Sequence, residues 1–208
     1  TDVCSITITV EDNEAPVISC AASDSRDTDA GVCEYTVQGT EFDATFTDNC
    51  TTASVTNDLT GTATLDGAAL PLGDTVVTWT VDDGNGNTDV CSVTITVEDN
   101  EAPTISCPAD ISVNSAAGAC DAIVTFANPV GMDNCAVAST IQTAGLPSGS
   151  VFPVGTTTNT FEVTDASGNT ASCSFDVTVV DDEAPVIACP ADVVAGTDLG
   201  ICGAAVFF

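Results

Sequence analysis

The sequence predicts an all-β protein built of tandem sandwich modules stapled by disulfides. Three observations predict it. Residues 1–20, TDVCSITITVEDNEAPVISC, return at 88–107 as TDVCSVTITVEDNEAPTISC, changed at only two positions. Runs such as SVTITV (92–97) and SFDVTVV (174–180) alternate with the period of two that half-buried strands need, and no helical period occurs. Eleven cysteines recur at regular spacing, which in small β modules reads as disulfides formed outside a reducing cytosol.

The repeat sets the domain plan. Cys4 maps to Cys91, 87 residues on, whereas Cys91, Cys107 and Cys120 map to Cys173, Cys189 and Cys202 at an offset of 82. The expected divisions are the last strand and linker of a truncated module (1–14), two complete modules (15–101 and 102–182), and the opening part of another (183–208). A chain that opens and closes inside a module reads as a segment of a longer array, with the partner of Cys4 upstream. Within a module, EYTV (34–37) or AIVTF (122–126) is expected as an early strand, and VASTIQT (137–143) as a middle one. DTVVTWTVDD (74–83) and TNTFEVTD (158–165) are the penultimate strands, with Trp79 and Phe161 as equivalent core residues. DDGNGN (82–87) and DASGN (165–169) supply the turns into the last strands, with Gly and Asn taking positive φ. About seven short strands in roughly 85 residues is the pattern of an immunoglobulin-like sandwich.

Charge narrows the function. There are 31 acids against one base, Arg26, and a net charge of −30. Phosphate binding needs Lys and Arg, so nucleic acid is excluded as a partner of any basic surface, and so is electrostatic attachment to anionic lipid. No transmembrane run is present in the sequence, and no direct membrane insertion is expected. The chain is nevertheless 44% hydrophobic with regular β-branched runs, which argues for folded modules whose mutual repulsion cations would screen. With no histidine or lysine and every cysteine placed for pairing, nucleophilic and general-base schemes lack their usual actors. No enzyme is expected.

The acids concentrate where modules join. Glu98, Asp99, Asn100 and Glu101 fall in the link, followed by Pro103, which stiffens it. Loops at the adjoining end of the next module carry Asp133, Asn134, Asp165 and Asn169. The earlier joint has Glu11, Asp12, Asn13 and Glu14 beside Asp48, Asn49, Asp82, Asp83 and Asn85. Carboxylates, amides and carbonyls in that number are what Ca²⁺ requires. The alternative is a plain solvated linker, since DDGNGN is also good turn chemistry without a metal. The EF-hand pattern is not met, because its twelfth position counted from Asp82 is Val93.

Four cysteines per module permit three pairings. The shared spacing of Cys20/Cys33, Cys107/Cys120 and Cys189/Cys202 favours a local staple, which leaves Cys50 to Cys91 and Cys135 to Cys173. The alternative joins the first cysteine of a module to its fourth, because the first and last strands can lie side by side in parallel.

CPADISV (107–113), DNC (133–135), FPVGTTTNTFEVTDASGN (152–169) and CSFDVTV (173–179) together resemble the hyalin repeat, or HYR module. The first full module departs from that pattern with CAASDSR in place of CPADI, so its first strand is expected to be irregular. The resemblance implies an immunoglobulin-like fold and extracellular adhesion. The EDNEAP link also resembles the calcium-binding linker between cadherin modules. Four-cysteine, lysine-poor arrays are similar to the giant surface adhesins of gliding Bacteroidetes exported by the type 9 system. Asp74-Thr75-Val76 is similar to the short O-glycosylation motif of that group, with Thr75 as acceptor. These resemblances imply a stalk segment of a long cell-surface adhesin or filament serving adhesion or gliding motility. Its partners would be further modules of the same chain and other surface or export proteins. Spacer modules of a secreted cell-surface enzyme are the alternative.

Overall fold

The computed structural model describes residues 2–50 and 53–207. Its first set of strands is β1 (Val17–Ser19), β2 (Asp24–Asp27), β3 (Glu34–Thr36), β4 (Thr45–Thr47), β5 (Ser54–Asn57), β6 (Ala69–Pro71), β7 (Gly73–Asp82) and β8 (Thr88–Glu98). The second is β9 (Thr104–Ile105), β10 (Ile111–Asn114), β11 (Asp121–Ile123), β12 (Gly131–Met132), β13 (Val137–Ala144), β14 (Val151–Pro153), β15 (Gly155–Asp165) and β16 (Thr170–Val180). Each set has one four-stranded sheet, ordered β2-β8-β7-β5 or β10-β16-β15-β13. Short two-stranded ladders, β3-β6 with β1-β4 and β11-β14 with β9-β12, complete each sandwich. Among the described residues no helix forms, and none is long and apolar enough to cross a membrane.

The alternating runs build the cores. Val77, Trp79 and Val81 of β7 and Val93, Ile95 and Val97 of β8 all turn inward against Ile18, Val37, Phe42, Leu65 and Leu70. The intervening threonines stay half-buried on the other face. Burying a Val, Leu or Ile side chain in this way contributes about 1.5–3 kcal/mol. In the second module Phe152, Phe161, Phe175, Val177 and Val179 do the same. Phe126 departs from the expected strand, because β11 ends at Ile123. Its backbone is satisfied by a side chain instead: Phe126 N–H donates to Ser148 Oγ (2.8 Å), whose hydroxyl donates to Phe126 O (2.7 Å). The freed ring meets Phe175 edge-on at 4.9 Å and also packs against Phe152 and Phe161.

The irregular first strand expected from CAASDSR does not occur. β2 pairs in parallel with β8 from Asp24↔Ile95 to Asp27↔Glu98, as β10 pairs with β16. Arg26 takes the register position of Val113 and is held by compensation. Its guanidinium donates to Asp24 (2.6 Å) and Glu41 (3.1 Å) and lies 4.9 Å over the Phe42 ring. Tyr35 OH donates to the other oxygen of Glu41. Arg26→Ala leaves Glu41 without its cation in a half-buried place, and is expected to lower stability by roughly 1–3 kcal/mol. A urea melt with unchanged slope checks this, and a midpoint unmoved from the parent's contradicts it.

Residues 2–16 carry no strand, although 1–10 repeat the pattern of β8. β8 owes its ladders to β7 and β2, and among the described residues no strand pairs with residues 2–10. Residues 181–207 likewise carry no strand.

Candidate functional site at the joint between modules

The six residues from Glu98 to Pro103 connect the sandwiches, and both modules hold them. Thr28 N–H donates to Glu98 O (2.9 Å), and Asn100 Nδ2 donates to Asp27 Oδ1 (2.8 Å). Gly31 N–H donates to Glu101 Oε2 (2.8 Å). Those bonds fasten the link to the module behind it. Asp99 faces the other way and is only 4% exposed. Asn169 Nδ2 donates to Asp99 O (3.0 Å), and Ser167 Oγ donates to Asp99 Oδ2 (3.4 Å). Asn134 Nδ2 donates across the joint to Val32 O at 3.1 Å.

The turn sequences explain why these groups converge. Asp165, 2% exposed, accepts the backbone N–H groups of Ser167, Gly168 and Asn169 on Oδ1, with Gly168 at φ +98°. Asp133 Oδ2 accepts Cys135 N–H (2.9 Å) and Ala136 N–H (3.1 Å), which turns the loop toward the joint. One carboxylate oxygen from each of Asp99, Asp133 and Asp165 therefore lies within 4.8 Å of the others. Asp133 Oδ1 and Asn134 Oδ1 are buried there with no hydrogen-bond partner. Burial pushes the Asp165 carboxyl up, but the bonds from Asn169 and the turn backbone outweigh it and hold the group below its ordinary value of 3.8. It is an anion at neutral pH.

The earlier joint repeats the pattern. Asn87 Nδ2 donates to Asp12 O (3.2 Å) and Asp83 Oδ2 (2.6 Å), and Asn49 Nδ2 donates to Asp12 Oδ1 (3.4 Å). Asp12 Oδ2 and Asp48 Oδ1 are the buried atoms without partners. A hydrogen bond from the Cys50 thiol is the main cause holding Asp12 below its ordinary value. Asp83 is also lowered, burial being outweighed by bonds from Asn87 and the turn backbone.

The sequence candidates divide accordingly. Asp99, Asp133, Asn134, Asp165 and Asn169 meet at one joint, and Asp12, Asp48, Asn49 and Asp83 at the other. Glu11, Asn13 and Glu14 are exposed. Asp82 caps its own turn through Gly84 N–H, Asn85 lies exposed, and Glu98 enters through its carbonyl rather than its carboxylate. Asn100 and Glu101 clasp the module behind. Asn87 was missed, although the alignment of GNT at 86–88 with GNT at 168–170 pairs it with Asn169. Thr75 is half-buried in β7 opposite Ile95.

The disulfides correct the favoured pairing. Cys20 bonds to Cys91 and Cys107 to Cys173, joining first cysteine to fourth, while Cys33 bonds to Cys135 across the joint. The local Cys20–Cys33 bond fails on distance. Cys91 precedes Glu98 by seven residues in β8, roughly 20 Å of strand, and the turn bearing Cys33 is tied to the Glu98 end. A disulfide needs Cα atoms within about 7 Å. Cys33 and Cys135 lie 4.6 Å apart. Cys4, Cys50, Cys120, Cys189 and Cys202 are unbonded and exposed.

The HYR domain model matches residues 11–97 and 98–179. Hyalin of Strongylocentrotus purpuratus is 31% identical over 210 residues, covering 97% of this chain and 17% of that protein. Hyalin of Lytechinus variegatus is 36% identical over 163 residues, covering 73% and 30%. The chain thus spans less than a third of either relative. Domains EC1–2 of human protocadherin-24 superpose with a TM-score of 0.39 at 15% identity, covering 81% of this chain and all of that one. The disulfide-rich β architecture and the hyalin homology make the chain extracellular. With the family model covering both strand sets, the chain belongs to the HYR domain family, as an adhesion-related module repeated in tandem.

Proposed function

We propose that this chain is a load-bearing stalk segment of a long extracellular adhesin, in which each joint is stiffened by calcium as well as by covalent bonds. The observation that carries the reading is the grip on residues 98–103: hydrogen bonds from both modules and a disulfide across the joint restrict the one place where two sandwiches would otherwise hinge. Its work would be mechanical, keeping modules in line so that a binding region elsewhere stands off the surface. Gliding motility and type 9 export remain readings of the bacterial resemblance alone, as does Thr75 as a sugar acceptor.

The residues at the joint fit calcium. All the donors are oxygens, and two ligands on one such ion lie at most about 5 Å apart, which the 4.8 Å cluster meets. Asp99, Asp133 and Asp165 would hold it with Asn134 Oδ1, and Asp12, Asp48 and Asp83 would do so at the earlier joint. Their buried atoms without partners, Asp133 Oδ1 and Asp12 Oδ2 among them, are acceptors that a cation satisfies. Bound there, the ion would neutralise three carboxylates that now repel one another. The protein's own part is to hold those oxygens in place through the turn N–H groups.

Thermal melting and small-angle scattering of the oxidised chain, with chelator and then with millimolar calcium, test this. Calcium at a hundred times its dissociation constant should add about 2.7 kcal/mol, a rise of several degrees, with a narrower spread of shapes. Asp133→Asn combined with Asp48→Asn should abolish the response. Unchanged melting and shape overturn the calcium site. A chain that bends freely in every condition overturns the stalk itself.

A further inference from the structure

Cys50 and Cys120 are exposed and unbonded, yet each stands where a bonded cysteine stands at the central joint. The turn carrying Cys33 is closed by Asp29 N–H to Glu34 O (2.7 Å) and Val32 N–H to Asp29 O (3.1 Å). The turn carrying Cys120 repeats it, with Ala116 N–H to Asp121 O (2.7 Å) and Ala119 N–H to Ala116 O (2.9 Å). Its grip on the outgoing link also repeats. Ser115 N–H donates to Val180 O (2.8 Å), Asn114 Nδ2 to Asp182 Oδ2 (2.6 Å) and Gly118 N–H to Glu183 Oε2 (2.7 Å). These are the counterparts of the bonds to Glu98, Asn100 and Glu101. Cys120 is therefore presented beside its link as Cys33 is.

Cys50 stands in the other half of the arrangement. Asp48 Oδ2 accepts Cys50 N–H at 3.0 Å, as Asp133 Oδ2 accepts that of Cys135 at 2.9 Å. Asn49 reaches Asp12 Oδ1 at 3.4 Å, as Asn134 reaches Asp99 Oδ1 at 3.5 Å.

We propose that Cys50 and Cys120 are the open halves of further inter-module disulfides. In a tandem array of this repeat, every module is then bonded to the one before it through its Cys50-type residue and to the one after it through its Cys120-type residue. The array becomes a continuous covalent ladder: the peptide link is one strand of each joint and the disulfide is the other. A pull on the array loads both.

The chemistry needs a two-electron oxidant, taken here as a small-molecule disulfide such as oxidised glutathione. A thiolate from one module attacks that disulfide and releases one thiol. The thiol of the neighbouring module then displaces the second, so that two protons and two electrons leave the protein for one new S–S bond.

The inference rests on the tandem stalk reading but not on calcium. Its test begins with the full chain carrying Cys4→Ser, Cys189→Ser and Cys202→Ser. After oxidation with glutathione and alkylation in denaturant, label is expected at Cys50 and Cys120 only, and a peptide should link Cys33 to Cys135. In a longer chain, residues 184–208 are replaced by a second copy of 102–182, joined after Glu183, the counterpart of Glu101. There Cys120 should lose its label and appear linked to the copy's Cys135. Cys120 still labelled beside an intact Cys33–Cys135 link overturns the inference alone, as does a bond from Cys120 to Cys107. Loss of the Cys33–Cys135 link in both chains overturns it together with the stalk reading.

Discussion

Replacing Cys33 and Cys135 together with serine is expected to be among the most damaging pairs of changes at the joint. The bond closes a loop of 102 residues that takes in most of the first module and less than half of the second. On the chain-entropy account a closure of that size contributes about 4–5 kcal/mol by restricting the unfolded ensemble. For a chain of this length the loss corresponds to roughly 10 °C or more in melting temperature. The consequence for cooperativity is more diagnostic. With the bond in place, the unfolding of one module strains the other. Without it, the peptide link and polar contacts such as those of Asn134 with Val32 and of Ser167 and Asn169 with Asp99 connect them. Calorimetry should then resolve two transitions in place of one, and scattering should show a wider range of shapes. Using both serines avoids a stray thiol. A variant that melts as the parent does, in one transition, would mean that the polar contacts hold the joint unaided.

The strands were legible because period-two alternation is local information. SVTITV and SFDVTVV need only their own residues to declare an inward face, and Trp79 and Phe161 follow from counting along it. The joint was half legible for a related reason. A repeat marks Asp99, Asp133 and Asp165 as recurring, and an acid beside a module boundary is suspect, so they could be named without coordinates. What could not be read was which partners lie across space. The constant spacing of Cys20 to Cys33 suggested a bond, but it means only that both belong to one module. A bond to the next module leaves the same signature, because a tandem array repeats its joints along with its parts. Arg26 failed for a similar reason. An arginine in place of valine spoils a strand pattern unless Glu41, Tyr35 and Phe42 gather around it, and nothing adjacent in the chain announces that they do. Glu98 and Asn100 show the converse error. Position in the link made them candidates, yet backbone direction alternates side chains, and these turn to the module behind or to solvent.

Trp79→Ala is expected to lower the stability of the first module by about 3–5 kcal/mol, and Trp79→Phe by far less. The indole is fully buried, opposite Cys91 in the sheet and within the cluster of Ile18, Leu65, Leu70 and Ile95. Truncation removes its apolar surface and leaves a cavity that two disulfide-tethered sheets cannot easily close. Phenylalanine is a different case. Phe161 holds the equivalent place in the second module, but there Phe126 packs edge-on at 6.5 Å, and the residue at the corresponding position of the first module is Gly39. Phenylalanine at 79 is smaller than the indole and has no ring at Gly39 to pack against, so it leaves part of the indole's space empty. Against that loss stands a gain. Trp79 Nε1 is buried with no hydrogen-bond partner, a condition that costs about 1–3 kcal/mol and that phenylalanine removes. The two effects oppose each other at similar size, so the net change for Trp79→Phe should stay under about 1.5 kcal/mol. Urea melts followed by circular dichroism, since Trp79 is the sole tryptophan, measure both variants. A phenylalanine loss close to that of alanine would show that the cavity outweighs the orphaned N–H. The core would then be tuned to the shape of the indole rather than to its volume.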